Sequence, residues 1–423
     1  MPPSINEKQV MVLGIPPTYE YTGYASDRQR QPDYYAANLG GSLIAKSICE
    51  MFNGDYIHKI DNINRINRKY DLCVLSLATH LDPNRDISKL TSIVKKLEMP
   101  VVILAVGITA YETSVSKYMP LHPSFHDLLK IVSSKSSWIG ARGPYSASVL
   151  LRKGFKNVVP LGCPTIFKKL DPKLRIETVD TVKNPLFVYH FTAYKYIDKF
   201  QNIDILGQDF HDEYVFTKNL HHDEALGKKI EHLYMGEENL NRVRNVLENN
   251  NAWFYPNFNK WYNSILEHDF VFGPRLHGCL AAIGSGIPAV FVGHDLRIKE
   301  IAEFFDLPLV SERELIESFS VRKLANFNFF DFNEIYEDRF SNFLYFCKEN
   351  GLPLRDSVNH NTTDFTFNYK DQAIIYSISL ELAENAKLRE LLNRIEKFSR
   401  KNFFVRTIAK LIKRVLGLKK APL

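Results

Sequence analysis

Cysteine is sparse. Five residues, Cys49, Cys73, Cys163, Cys279 and Cys347, are scattered through 423 positions, and no CxxC pair occurs. An odd, dispersed set excludes a disulfide framework and a thiolate zinc site, and reads as the reduced thiols of a cytoplasmic protein. Long apolar runs are missing as well. None approaches the roughly 20 residues that cross a bilayer. Met1-Pro2-Pro3-Ser4 lacks the basic start and apolar core of a secretory signal. No Gly-rich loop ends in Lys, which disfavours phosphoryl transfer. No dense carboxylate cluster suggests a metal, and no cofactor is expected. Net charge is modest at +6, and it is concentrated at one end, because no acidic residue follows Glu396.

What is present is ordinary globular material: 45% hydrophobic and 24% charged residues, with 29 Phe and 21 Tyr to build large cores. The length suggests two domains with a remainder. Short apolar runs at Gln9–Ile15, Leu72–Leu77, Val101–Val106 and Asn157–Leu161 alternate with helical stretches at Leu39–Phe52, Ile87–Leu97, His126–Ser133 and Tyr145–Lys153. Continuous apolar strands separated by helices predict a parallel sheet covered on both faces. The polar stretch Lys168–Asn184 has no apolar periodicity and reads as a connection. A second series follows, with strands at Leu186–Tyr189, Ile203–Leu206, Ala252–Tyr255, Phe270–Phe272 and Ala289–Val292 and helices that end with Asp331–Asn350. The expected organisation is an N-terminal α/β domain over 1–167, a linker over 168–184 and a C-terminal α/β domain over 185–350. Ligands would lie in the cleft, outside the carboxyl ends of the strands.

From about 370 the pattern changes to helical tail, 370–423. Lys370–Lys397 reads as a long amphipathic helix. In Lys401–Lys420, Phe404, Ile408, Leu411, Ile412 and Val415 share one helical face while Lys401, Arg406, Lys410, Lys413, Arg414, Lys419 and Lys420 supply positive charge. That is the pattern of a helix lying on an anionic membrane surface. A basic helix docked on the protein's own body, or a disordered tail, is the plainer alternative. The basic residues alternate with apolar ones and form no phosphate-tracking patch, so nucleic acid is not an expected partner.

The most informative segment is His268–Pro308. The strand Phe270–Phe272 ends at Gly273-Pro274 and offers Arg275 and His277 just before a helix of small residues, Gly278–Ile283. A fixed guanidinium, a titratable imidazole and a helix N-terminus suit a phosphate or carboxylate ligand. Taken alone, such a pair is more simply read as a structural ion pair and a satisfied hydrogen bond.

"DFVFGPRLHG" followed by "GIPAVFVGHD" resembles the G-x-R-x-H-G signature of the polysaccharide pyruvyltransferase family. "NLGGSLIAKSI" (Asn38–Ile48) is similar to that family's first loop, "SSWIGARGPYSASVLLRKGF" (Ser136–Phe155) to its Arg-x-x-x-Ser segment, and "IDILGQDFHDE" (Ile203–Glu213) to its second-domain strand ending in Gln. The likeness runs from about residue 9 to 310. There are departures: Gly41 stands where the family usually has Asp, Cys163 where Asp-Pro is common, and Arg297 where Lys is common.

The resemblance implies two Rossmann-like domains in a GT-B-like bilobal arrangement, with the donor on the C-terminal side and the acceptor on the N-terminal side. It also implies transfer of a pyruvyl group from phosphoenolpyruvate onto sugar hydroxyls. In that scheme Arg275, Arg142 and Arg297 clamp the donor's carboxylate and phosphate, with Gly278 and Ser146 beside them, and His277 is the general acid. Asn38, Gly40, Asp209, His211 and Asp212 are the acceptor candidates. Asn38 and Gly40 read first as shaping the first βα turn, and the other three fit a solvated loop equally well. Asp295 reads as an orienter of Arg297 or as a helix cap. The acceptor would be a glycan or lipid-linked oligosaccharide, met on the inner face of the cell membrane, with loops Tyr19–Tyr35 and His80–Asp86 setting its choice. A glycosyltransferase using a nucleotide sugar on the same bilobal fold, and a membrane-tethered scaffold with a degenerate site, are the competing readings.

Overall fold

The computed structural model describes residues 8–18, 38–108, 120–217 and 224–355. The loop Tyr19–Tyr35 and the tail over 370–423, with its segment Lys401–Lys420, lie outside the described residues.

Two parallel sheets carry the fold. In the N-terminal half, β1 (Val10–Gly14), β2 (Asp55–Tyr56), β3 (Leu72–Ser76) and β4 (Val101–Ile103) are ordered β2-β1-β3-β4. β5 (Ile139–Ala141) and β6 (Val158–Pro160) pair in parallel, and a parallel bridge from Val106 to Ala141 joins them to that sheet. In the C-terminal half, β7 (Pro185–Val188), β8 (Asp204–Leu206), β9 (Ala252–Trp253), β10 (Phe270–Gly273), β11 (Ala289–Gly293) and β12 (Leu309–Ser311) form one sheet, ordered β9-β8-β7-β10-β11-β12. All of its pairings are parallel. Counted within its half, this is the 3-2-1-4-5-6 order of a doubly wound dinucleotide-binding sheet, and the first half follows the related 2-1-3-4-5 order. The two Rossmann-like halves expected from the sequence are therefore present.

The period-2 geometry of strands explains the unbroken apolar runs. Val10 and Val12 of β1 and Leu72 and Val74 of β3 face one core, while Met11, Leu13, Cys73 and Leu75 face another. In β10, Val271 joins the first of these cores, whereas Phe270 and Phe272 enter a third. The first core is thus shared by both sheets, with α1 (Leu39–Phe52) and α4 (Leu276–Ile283) packed in it. Each fully buried Leu, Ile, Val or Phe contributes about 1.5–3 kcal/mol to the fold.

Contacts reach across both expected boundaries. The helix α6 (Phe330–Glu349) touches both halves. Arg339 Nε donates to the Phe304 carbonyl at 3.1 Å, yet Ser137 Oγ donates to the Glu349 carbonyl at 2.8 Å and Trp138 N to Asn350 Oδ1 at 3.1 Å. The polar connection over 168–184 is also anchored: Leu174 and Ile176 are buried, and Ile176 N donates to Asn333 Oδ1 at 2.9 Å.

Candidate active site

Both sheets turn the carboxyl ends of their central strands toward one cleft, at the points where strand order reverses. Ile15 after β1, Ala78 and Thr79 after β3, His190 after β7, and Pro274 and Arg275 after β10 line a cavity of about 210 Å3 between the halves. Asn38, Gly41, Ile44, Arg85, Arg142, Gln208, Leu276, His277, His294, Arg297 and Ile298 complete its wall. The sequence-predicted Arg142, Arg275, His277 and Arg297, drawn from both halves, are brought together.

α4 begins earlier than its small residues suggest, at Leu276 and not at Gly278. Leu276 is buried and the Arg275 carbonyl accepts the Cys279 N–H at 3.2 Å, so the helix winds back to Arg275 as N-cap. His277 therefore sits inside the first turn. No side chain caps that turn, which leaves its N–H groups directed at the cleft.

The three guanidiniums differ in what holds them. Arg275 Nε donates to the Tyr189 carbonyl at 2.8 Å, and Nη2 donates to Asp209 and to Asp212 Oδ2, the latter at 3.0 Å. Burial lowers the Arg275 pKa, but Asp209 and Asp212 more than offset this and hold it above its ordinary value. Arg297 is clamped on Asp295 Oδ2, with Nε at 2.6 Å. Asp295 Oδ1 simultaneously accepts the Ile298 N–H at 3.1 Å as N-cap of α5 (Leu296–Phe304), so both roles foreseen for Asp295 are filled at once. Arg142 is different. It is 2% exposed, and its Nε and Nη2 have no hydrogen-bond partner. Burial, opposed by Cys163 and Glu300 and aided by Arg297, lowers its pKa.

His277 lies among these cations. Burial first, then Arg142, Arg297 and Arg275, hold its pKa well below the ordinary histidine value, so the imidazole is neutral, and its Nε2 has no hydrogen-bond partner. Gly40 of α1 makes this closeness possible. A Cβ there would lie 2.7 Å from Gln208 Nε2 and 2.8 Å from His277 Nδ1. Asn38 caps α1 through Oδ1 on the Gly41 N–H at 2.9 Å and bridges to Asp209, stitching the halves at the cavity edge.

Other candidates are placed elsewhere. Ser146, in α2 (Pro144–Arg152), is engaged by a protein carboxylate rather than facing the cavity: its N–H donates to Glu300 Oε1 at 2.6 Å and its hydroxyl to Oε2 at 2.8 Å. The group that occupies that helix N-terminus is the Glu300 carboxyl. Gly278 packs α4 against β7, since a Cβ would sit 2.7 Å from Val188 Cγ1. Asp209 and Asp212, at the start of α3 (Phe210–Thr217), lie beneath Arg275, and His211 Nδ1 is 3.6 Å from Asp209. Although burial pushes Asp209 up, Arg275 and then His211 hold it well below the usual carboxylate range, whereas burial raises Asp212 to about 6. These carboxylates support the guanidinium; they do not line the cavity.

Sequence reasoning overlooked His190, His294 and Glu300. The first two follow β7 and β11, where the strand-end rule points. Glu300 left no signal, because its partner Ser146 lies in the other half.

The fold and cavity define a bilobal protein with an arginine-lined cleft shared by two Rossmann-like halves. The model of the family described as Polysaccharide pyruvyl transferase matches residues 38–295, and the chain belongs to that family. It is a transferase. No curated protein matches the chain in sequence. Among solved structures it is similar to MnaA of S. aureus in its UDP co-structure, at 10% identity and TM-score 0.38, covering 80% of this chain and 96% of that one. It is also similar to UDP-GlcNAc 2-epimerase from Neisseria meningitidis bound to UDP-GlcNAc, at 15% identity and TM-score 0.34, covering 69% and 85%. Neither likeness bears on what this chain does.

Proposed function

We propose that the enzyme transfers a pyruvyl group from phosphoenolpyruvate to hydroxyls of a sugar in a cell-surface polysaccharide or its lipid-linked precursor, forming a ketal and releasing phosphate. The observation that carries this reading is Arg142. A guanidinium held 2% exposed without a hydrogen-bond partner at Nε and Nη2 costs several kcal/mol unless an anion arrives. Arg275 and Arg297 stand on the same cavity, each already oriented by carboxylates, so a donor with both a carboxylate and a phosphate has fixed forks to meet. The donor's negative charge offsets the three guanidiniums around His277 and raises its pKa, which lets the imidazole carry the proton that the donor's methylene carbon must gain.

The basic amphipathic pattern of Lys401–Lys420 supports peripheral association with the anionic inner face of the cell membrane, where a lipid-linked acceptor is met. No helix among the described residues is long and apolar enough to cross a membrane.

The test is phosphate release from phosphoenolpyruvate in the presence of short glycan or lipid-linked acceptors. Acceptor-dependent release that is lost in His277→Ala and Arg142→Met, both still folded, is the expected result. Stabilisation by a nucleotide sugar and none by phosphoenolpyruvate sinks the donor assignment.

A further inference from the structure

A second cavity of about 430 Å3 opens beside the first, at the carboxyl ends of β11 and β12. Its floor is aliphatic, with Leu296, Leu309 and Val310, and its rim carries Lys299, Ser311 and Glu314. Hydrogen-bonding groups around an apolar base suit a sugar ring better than they suit a small trianion. His294 contributes to the walls of both cavities. Its side chain is 7% exposed, and neither Nδ1 nor Nε2 has a hydrogen-bond partner. A buried imidazole with both nitrogens unsatisfied is rare without a ligand to satisfy it.

The surroundings of His294 differ from those of His277. The ring stacks on His190, with centroids 4.5 Å apart and planes 29° apart, which fixes its plane. Asp295 Oδ2 lies 3.3 Å from Nε2, poorly aligned for a hydrogen bond but close enough to stabilise an imidazolium once it forms. Burial, with Arg297 and Arg275, keeps the ring neutral at rest, while Asp295 and Glu312 act in the opposite sense.

We infer that the cavity beside β11 and β12 is the acceptor-sugar subsite and that His294, on the boundary, is the base that takes the proton of the attacking hydroxyl. The inference rests on the phosphoenolpyruvate reading above, and it moves the acceptor from the N-terminal loops to the C-terminal half. As the first hydroxyl oxygen bonds to C2 of the donor, its proton passes to His294 and C3 takes a proton from His277. Phosphate then leaves with the electron pair of the C2–O bond, and the second hydroxyl closes onto C2. The second hydroxyl's proton restores His277, and the proton on His294 departs with the phosphate.

The test uses the full chain, phosphoenolpyruvate, and p-nitrophenyl hexosides as acceptor probes. In His294→Gln, stabilisation by phosphoenolpyruvate is expected to match wild type, while acceptor-dependent phosphate release falls at least 100-fold in kcat. In Lys299→Trp, whose new ring fills the second cavity, the acceptor KM is expected to rise at least tenfold with donor stabilisation unchanged. A His294→Gln enzyme that keeps kcat within threefold of wild type overturns the inference, and so does one that loses donor stabilisation. A wild type that phosphoenolpyruvate does not stabilise fails at the donor instead, and removes the basis of both readings.

Discussion

Glu300 of the C-terminal half caps the helix that begins at Pro144 in the N-terminal half, accepting the Ser146 N–H at 2.6 Å and the Ser146 hydroxyl at 2.8 Å. This contact joins the two halves four residues along the chain from Arg142.

The Glu300 carboxyl is raised from 4.5 to about 7, by burial first, against the bonds from Ser146 and the charge of Arg142. A folded-state pKa above the unfolded one means the native protein holds the extra proton between those values. Stability from this group is therefore present at low pH and lost as pH rises from about 4.5 to about 7, by about 3 kcal/mol. Glu300→Gln has no such titration. Melting curves at pH 5 and pH 8 should show wild type losing ground to Glu300→Gln as pH rises; a gap that stays constant would contradict this.

Arg275 and Arg142 should respond in opposite ways to removal. Arg275→Ala leaves buried Asp209 and Asp212 without their cation and is expected to cost about 3–5 kcal/mol by chemical denaturation. Arg142→Met removes a buried charge that lacks a protein partner, and is expected to leave the unliganded protein as stable or to stabilise it by about 1 kcal/mol. If Arg142→Met destabilises as much as Arg275→Ala, Arg142 has a structural role and not a ligand-binding one.

The His277 imidazole titrates well below the ordinary histidine range because of burial and then Arg142, Arg297 and Arg275. Removing a neighbouring cation eases protonation, so Arg142→Met should move the His277 NMR titration to higher pH. Saturating phosphoenolpyruvate should move the wild-type titration in the same direction. A midpoint that does not move in either case argues against a donor seated beside this ring.

Gly40→Ala places a methyl 2.7 Å from Gln208 Nε2 and 2.8 Å from His277 Nδ1. Side-chain ends can shift a little, so the protein is expected to fold, with a loss of about 1–3 kcal/mol in stability. The reorientation of His277 should cost at least tenfold in phosphate release. Normal activity with an unchanged melting temperature would show that the two halves separate more readily at Gly40 than this packing implies.

The apolar strand runs and the helix Leu39–Phe52 were legible in the sequence because their periods, 2 and 3.6, are set by backbone geometry alone. Arg275 and His277 were legible because a strand, a Gly-Pro turn and a run of small residues put them at a strand's carboxyl end. The three-residue strand Ile139–Ala141 was not, since it is held by its pairing with Val158–Pro160 and by a bridge to Val106, not by its own pattern. Nor did the sequence separate the three arginines. Asp209 and Asp212 lie about 65 residues from Arg275 and looked like a loop cluster, and Glu300 lies 154 residues from Ser146. What the chain determined by itself is the order of strands and helices and which residue types stand at strand ends. Only the tertiary structure decided which of those charges are neutralised by the protein and which are left unpaired, because pairing a buried charge is a matter of distance in space, not spacing along the chain.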